Sequence, residues 1–252
     1  MKNKKWIISI GLLLIISIIL FVFIYRFYFA KPSTFPSDEQ LLKVLEMDNH
    51  FSKANASNIL DVIDIDQSHK FVPFTTKQNE YGTSYWEYEK NQWQIKHIEF
   101  GQPHVWTINM EDPSTFYISW NIHPDDQVKD FQLYFMRDRD YDSSDGMSTY
   151  YPKVQMEKTI TLDKSYGIMK LPNEWISIMK KSKKVDTNFS MSGFFSFSGF
   201  TIKSIFLDKN NQQVEILSGS YNNVTYTTEG FESLHWVYNM ANGLEHEGIE
   251  LQ

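Results

Sequence analysis

The chain has 252 residues, 42% hydrophobic and 16% aromatic, enough to build a core in one large or two small domains. It has no cysteine, which excludes disulfides, thiolate catalysis and acylation as a lipoprotein. Four of its 24 basic residues and none of its 31 acidic ones precede Ala30, so the remainder carries 20 against 31, about −11, and no nucleic-acid partner is expected of such a surface.

From Trp6 to Tyr25 the sequence WIISIGLLLIISIILFVFIY has no charge, and only Ser9 and Ser17 are polar. As a helix rising about 1.5 Å per residue it spans about 30 Å, the thickness of a bilayer's hydrocarbon core. The expectation is a transmembrane signal-anchor helix over residues 6–29, with residues 1–5 as a short cytoplasmic tail. Lys2, Lys4 and Lys5 place that tail in the cytoplasm by the positive-inside rule and the rest of the chain outside it. Trp6 at one boundary and Tyr25 and Tyr28 at the other fit an aromatic belt, and Arg26 can snorkel outward. A cleaved signal peptide has an apolar region of about 7–15 residues and a small-x-small site. This run is longer, and Tyr28 stands where a small residue belongs. The expected location is therefore the cell membrane, single-pass, with the bilayer as partner of residues 6–29.

Residues 30–37, AKPSTFPS, read as a stiff spacer. Ser37 and Gln40 form a capping box, and Leu41, Val44 and Leu45 recur at helical spacing, predicting a helix from Asp38 to His50. Ile59, Val62 and Ile63 predict a second short helix over Ser57–Ile65. Strand-like texture follows. Lys70–Thr76 reads as a strand whose Pro73 suggests an edge. Ser84–Glu89 and Gln92–Phe100 flank Lys90-Asn91 as a hairpin, with Trp86 and Tyr88 facing Ile95 and Trp93 and a bulge near Lys96-His97. Further strands are predicted at Val105–Asn109, Thr115–Ile122, Phe131–Arg137, Val154–Leu162, Tyr166–Lys170, Phe194–Leu207, Gln213–Ser218 and Val224–Thr227. A helix begins at Asn173 and carries Trp175, Ile176 and Met179.

A boundary near Met110–Pro113 divides a small α+β unit of two helices and a sheet, residues 38–110, from a β-rich, sandwich-like domain, residues 111–252. The first unit, ending in WEYEKNQWQIKHI, resembles cystatin-like and related pocket folds in which a curved sheet wraps a helix. The expected fold class is thus one transmembrane helix followed by an α+β, mostly-β ectodomain.

Two stretches invite a chemical reading. Asp138, Asp140, Asp142 and Asp145 alternate along DRDYDSSDG, and converging carboxylates suit Ca²⁺, which takes six to eight oxygens. The stretch resembles the start of an EF-hand loop, but Ser143 stands where that loop has glycine and Thr149 where it has its bidentate glutamate. Asp138-Arg139-Asp140 also matches the D-x-D of glycosyltransferases. His123-Pro124-Asp125-Asp126 resembles the H-P-D-D of zinc-dependent N-acetylglucosaminyl deacetylases, which implies His123 and one aspartate as zinc ligands and the other as general base. A proline-aspartate turn at a strand end accounts for the same residues. The seven histidines show no i, i+3 or i, i+4 pair of the kind that builds a helical metal site, and no nucleophile elbow, H-E-x-x-H, P-loop or dinucleotide fingerprint occurs.

No catalytic residue and no cofactor is expected. The expected function is a non-enzymatic, extracytoplasmic binding module of a bacterial envelope, meeting an envelope protein or a wall glycan. A metal-dependent envelope deacetylase is the first alternative and a calcium-stabilised adhesion module the second.

Overall fold

The computed structural model describes residues 2–29, 32–47, 55–100, 103–109, 111–144, 146–185, 200–216, 226–227 and 235–239. In chain order the elements begin with α1 (Lys2–Phe29), α2 (Asp38–Met47), β1 (Ala56–Ile59), β2 (Ile63–Asp64), β3 (His69–Thr76), β4 (Tyr81–Glu89), β5 (Gln92–Phe100), β6 (His104–Thr107) and β7 (Phe116–Asn121). They continue with β8 (Asp130–Arg137), β9 (Asp140–Ser144), β10 (Met147–Tyr151), β11 (Val154–Thr161), β12 (Tyr166–Lys170), α3 (Asn173–Val185), β13 (Thr201–Leu207), β14 (Gln213–Val214), β15 (Tyr226–Thr227) and β16 (His235–Asn239).

α1 holds exposed apolar side chains, Leu13, Ile19 and Phe21 among them. No helix among the described residues is long and apolar enough to cross a membrane. This corrects the transmembrane, single-pass signal-anchor reading of residues 6–29.

The order of two helices, a sheet and a following sandwich is corrected as well. The described residues are mostly strand, with three α-helices among them. α2 starts as its capping box predicts, with the Ser37 N–H donating to Gln40 Oε1 at 3.0 Å and the Leu41 N–H to the Ser37 carbonyl at 2.8 Å. Leu41 and Leu45, one turn apart, are its buried stripe; residues 48–50 lie outside the described residues. The predicted second helix is instead β1 and β2, both antiparallel to β3. Short runs of β-branched residues fit either period, and here β3 supplies the hydrogen-bond partners that decide for strand. Pro73 falls between the two paired registers, where its missing N–H costs no ladder bond, while its carbonyl accepts from the Leu60 N–H at 2.9 Å.

The strands form three larger antiparallel sheets. The first has the order β1–β3–β4–β5–β15 with β2 also on β3, the middle one β12–β7–β6–β16, and the third β11–β8–β13–β14. Within the first, Lys90 and Asn91 both take left-handed backbone, as a two-residue hairpin turn requires, and Trp86 faces Ile95 and Tyr88 faces Trp93. The register slips between Tyr85 and Trp86, leaving Lys96 as the extra residue of the expected bulge. Gly82 lies between Phe74 and Phe100 on the neighbouring strands, and a Cβ there would come within 2.6 Å of the Phe74 ring and 2.7 Å of the Phe100 ring.

Alternation along these strands sorts side chains into layers. Leu41 and Leu45 cover one face of the first sheet, over Val72, Phe74, Trp86, Ile95, Ile98 and Phe100. Its other face meets the middle sheet through Phe71 and Tyr85 against Trp106 and Tyr117. Behind the middle sheet, Phe116, Ile118 and Trp120 pack against Phe131, Leu133 and Phe135 of the third and against Trp175, Ile176 and Met179 of α3. Every residue of β7 is buried, because this strand has a sheet on each side. β8 and β11 run on into β9 and β10, which pair with each other as a two-stranded arm.

Candidate functional site

The H-P-D-D turn is a structural turn. Pro124–Asp126 is a single 3₁₀ turn; His123 caps it, its Nδ1 accepting from the Asp125 N–H at 3.1 Å, and Gln127 closes it in left-handed backbone. The other ring nitrogen, Nε2, is 2.9 Å from the Asn79 amide, and the Tyr81 ring lies edge-on at 4.7 Å. Both imidazole nitrogens are thus engaged. Asp125 Oδ2 lies 3.7 Å from His123 Nδ1 on a side chain that is 79% exposed, whereas Asp126 is buried.

The acidic stretch is a hairpin. Asp140 pairs with Tyr151 and Asp142 with Thr149 across the β9–β10 arm, and Gly146 takes positive φ near its tip. Asp138 and Asp140 are exposed; the side chains of Asp142 and Asp145 lie outside the described residues. Among the described residues no group of three His, Cys, Asp or Glu is placed to hold a metal ion. Of the proposed anchor residues, Trp6 and Tyr25 are exposed on α1, and the side chains of Arg26 and Tyr28 lie outside the described residues.

Two arrangements went unread in the sequence. The first is on the arm. Residues directly opposite in an antiparallel pair share a face, so Tyr141 and Tyr150, with Ser143 and Ser148, line one side of it. Tyr141 and Tyr150 are 62% and 61% exposed, and the Tyr141 hydroxyl donates to Ser148 Oγ at 2.7 Å. Outside α1, the exposed large hydrophobic side chains among the described residues are these two and Val44.

The second is a polar group in the seam between the first and middle sheets. β5 points His97 and Glu99 to the same side, and β6 brings His104 opposite. Glu99 Oε2 is 2.9 Å from His97 Nε2, and its Oε1 is 3.2 Å from His104 Nε2. The three residues are 0%, 7% and 5% exposed for His97, Glu99 and His104. Burial holds the His97 imidazole down to about 3. Burial and the neighbouring His97 hold His104 down to about 4, against the opposing pull of Glu99. Both are therefore neutral at pH 7, and each sets its Nε2 against one oxygen of Glu99. Beside them the Tyr85 hydroxyl is 2.7 Å from Ser119 Oγ, which also accepts from Trp106 Nε1 at 3.1 Å. Burial pushes the Tyr85 phenol well above its ordinary value.

Further along the same face of the first sheet, His69 Nδ1 is 2.9 Å from Asp66, and its Nε2 is 3.7 Å from Glu87. Burial works to lower this imidazole, but the neighbouring carboxylates of Glu87 and Asp66 outweigh burial and raise it. Lys96 closes the charge balance there, 3.4 Å from Glu87 and 2.9 Å from Glu89. The His97-x-Glu99 alternation inside IKHIEF is the signal that could have revealed the seam. It is a strand-period signal, and a search at helical spacing passes over it.

No protein-family model, curated protein or solved structure matches this chain.

Proposed function

We propose that this protein is a non-enzymatic binding module of a bacterial cell envelope that meets its partner, an envelope protein or a wall glycan, through the β9–β10 arm. The observation that carries the reading is the exposed Tyr141–Tyr150 pair on a strand face completed by Ser143 and Ser148. Buried aromatics are numerous here, so leaving two of them in water on one projecting hairpin is selective. Tyrosine offers a large, rigid, amphipathic contact area at low entropy cost, and serine adds adaptable hydrogen bonds, the composition that binding loops use.

The test is site-specific photocrosslinking in the native cells. A benzoylphenylalanine at position 141 or 150 is expected to give a discrete adduct, whereas the same group at Thr159, exposed on the neighbouring β11, gives none. Equal labelling at all three positions, or no adduct from the arm, overturns the arm as the contact surface.

A further inference from the structure

The side of the β9–β10 arm that carries Tyr141 and Tyr150 has a chemistry of its own. Its paired positions are Tyr141 opposite Tyr150 and Ser143 opposite Ser148. At those positions it presents two phenols and two aliphatic hydroxyls, with no charged group and no hydrocarbon side chain. On the reading that the arm is the contact surface, we propose that this face is a platform for a neutral glycan, whose pyranose rings stack on Tyr141 and Tyr150 and whose hydroxyls bond to Ser143 and Ser148.

The phenols are set for stacking. Tyr141 starts on β9 and its hydroxyl ends on β10, donating to Ser148 Oγ at 2.7 Å, so the side chain is tied at both ends across the arm. It remains 62% exposed, and Tyr150, directly opposite, is 61% exposed. The flat sides of a pyranose ring present C–H hydrogens, which carry slight positive charge toward the negative face of an aromatic ring. A phenol that is already tied has little side-chain freedom left to lose when a sugar settles on it. The row of hydroxyls continues to Ser143, whose Oγ is 3.3 Å from Ser148 Oγ. A serine hydroxyl has one donor and two acceptor sites, so this row can both give hydrogen bonds to sugar hydroxyls and take them.

Charge and composition narrow the occupant. Protein contacts centre on tryptophan, arginine and tyrosine anchors seated in desolvated pockets, whereas here hydroxyls surround two phenols that stand in water. An acidic polymer is repelled, since the chain from Ala30 onward has 20 basic residues against 31 acidic ones, and Asp140 is exposed on the opposite side of the arm. A neutral polyhydroxyl ligand meets neither obstacle. A two-stranded hairpin is barely stable by itself in water, so a ligand lying across both strands also steadies the arm.

Titration calorimetry of the full chain in mild detergent with chitohexaose, a neutral β-linked oligosaccharide, tests this. Saturable binding is expected, and anionic hyaluronan oligosaccharides should give none. Tyr141→Ala and Tyr150→Ala should each weaken binding by about tenfold or more, because each removes a stacking surface. Tyr141→Phe keeps the ring and loses only its tie to Ser148, so it should weaken binding about threefold. Thr159→Ala, an exposed position on β11, should leave it unchanged. Amides of β9 and β10 should also exchange more slowly with chitohexaose present, in the native chain and not in Tyr141→Ala. No binding of chitohexaose, equal binding of the anionic oligosaccharide, or undiminished binding by the two alanine variants overturns the platform. Crosslinks from positions 141 and 150 to a protein, without chitohexaose binding, overturn the glycan and leave the arm as a contact surface. The absence of both overturns the arm as well.

Discussion

The two faces of β7 are buried against different neighbours. Phe116, Ile118 and Trp120 look toward the third sheet and α3, into side chains that are almost all aromatic or aliphatic. Tyr117, Ser119 and Asn121 look toward the first sheet, where Ser119 meets a phenol and an indole and Asn121 reaches two backbone carbonyls. Both seams exclude water. Their difference lies in how contact is specified. Apolar packing is non-directional and tolerates changes of side chain that keep volume. Hydrogen bonds across the other seam fix one register of one sheet against the other, and every unmet partner there is expensive. The apolar seam even harbours two unmet groups, Trp120 Nε1 and Ser204 Oγ, both buried without a hydrogen-bond partner.

The largest effect expected from this contrast lies in the apolar seam. Trp175 is almost wholly buried, and its ring stacks on Phe135 at 5.1 Å and 13°. Trp175→Ala removes the contact by which α3 closes the layer, and its cost in urea unfolding should be about 3–5 kcal/mol. A loss below about 1 kcal/mol would mean that the seam refills the space and is looser than its packing implies.

The middle-sized effect belongs to the polar seam. Asn121 Nδ2 donates to the Phe74 carbonyl at 3.0 Å and to the Gly82 carbonyl at 2.7 Å, bridging from β7 to β3 and β4. Its Oδ1 is buried without a partner, so part of that gain is already offset. Asn121→Ala should cost about 1–3 kcal/mol, less than Trp175→Ala although it breaks two bonds. If the order of the two costs were reversed, the directional seam and not the apolar one would dominate stability.

Much of the fold could be read from local pattern. The capping box at Ser37 and Gln40, the Lys90-Asn91 turn, the bulge at Lys96 and the helix carrying Trp175 are each decided within a few residues, and each is present. What could not be read depends on partners distant in the chain. β1 and β2 are strands because β3 lies beside them; Ile59, Val62 and Ile63 alone carry no such information. His123 looked like a ligand because its neighbours in sequence are carboxylates, whereas its neighbour in space is Asn79, 44 positions away. Glu99 acquires meaning only when β6 brings His104 across from another sheet. The apolar stretch of α1 was legible as a helix, but its composition alone did not settle what it crosses.

The smallest effect gives the sharpest comparison, because one substitution made on each seam should act with opposite sign. Ser119 and Ser204 are both buried, on β7 and β13. Ser119 Oγ is shared by the Tyr85 hydroxyl at 2.7 Å and the Trp106 indole at 3.1 Å. Ser119→Ala removes a partner of both and should cost about 1 kcal/mol, because neither group has water to turn to. Ser204 Oγ has no partner, so its hydroxyl was desolvated on folding without return. Ser204→Ala removes that burden and should leave stability unchanged or raise it by up to about 1 kcal/mol. The loss at Ser119 should also be accompanied by a change in the near-ultraviolet circular dichroism of the Trp106–Tyr117 stack, whose rings lie 5.0 Å apart, whereas Ser204→Ala leaves that band alone. Urea titrations of the two variants beside the native chain decide it. Equal losses would show that Ser204 has a partner in solution, and the contrast between a directional seam and a merely apolar one would then not hold.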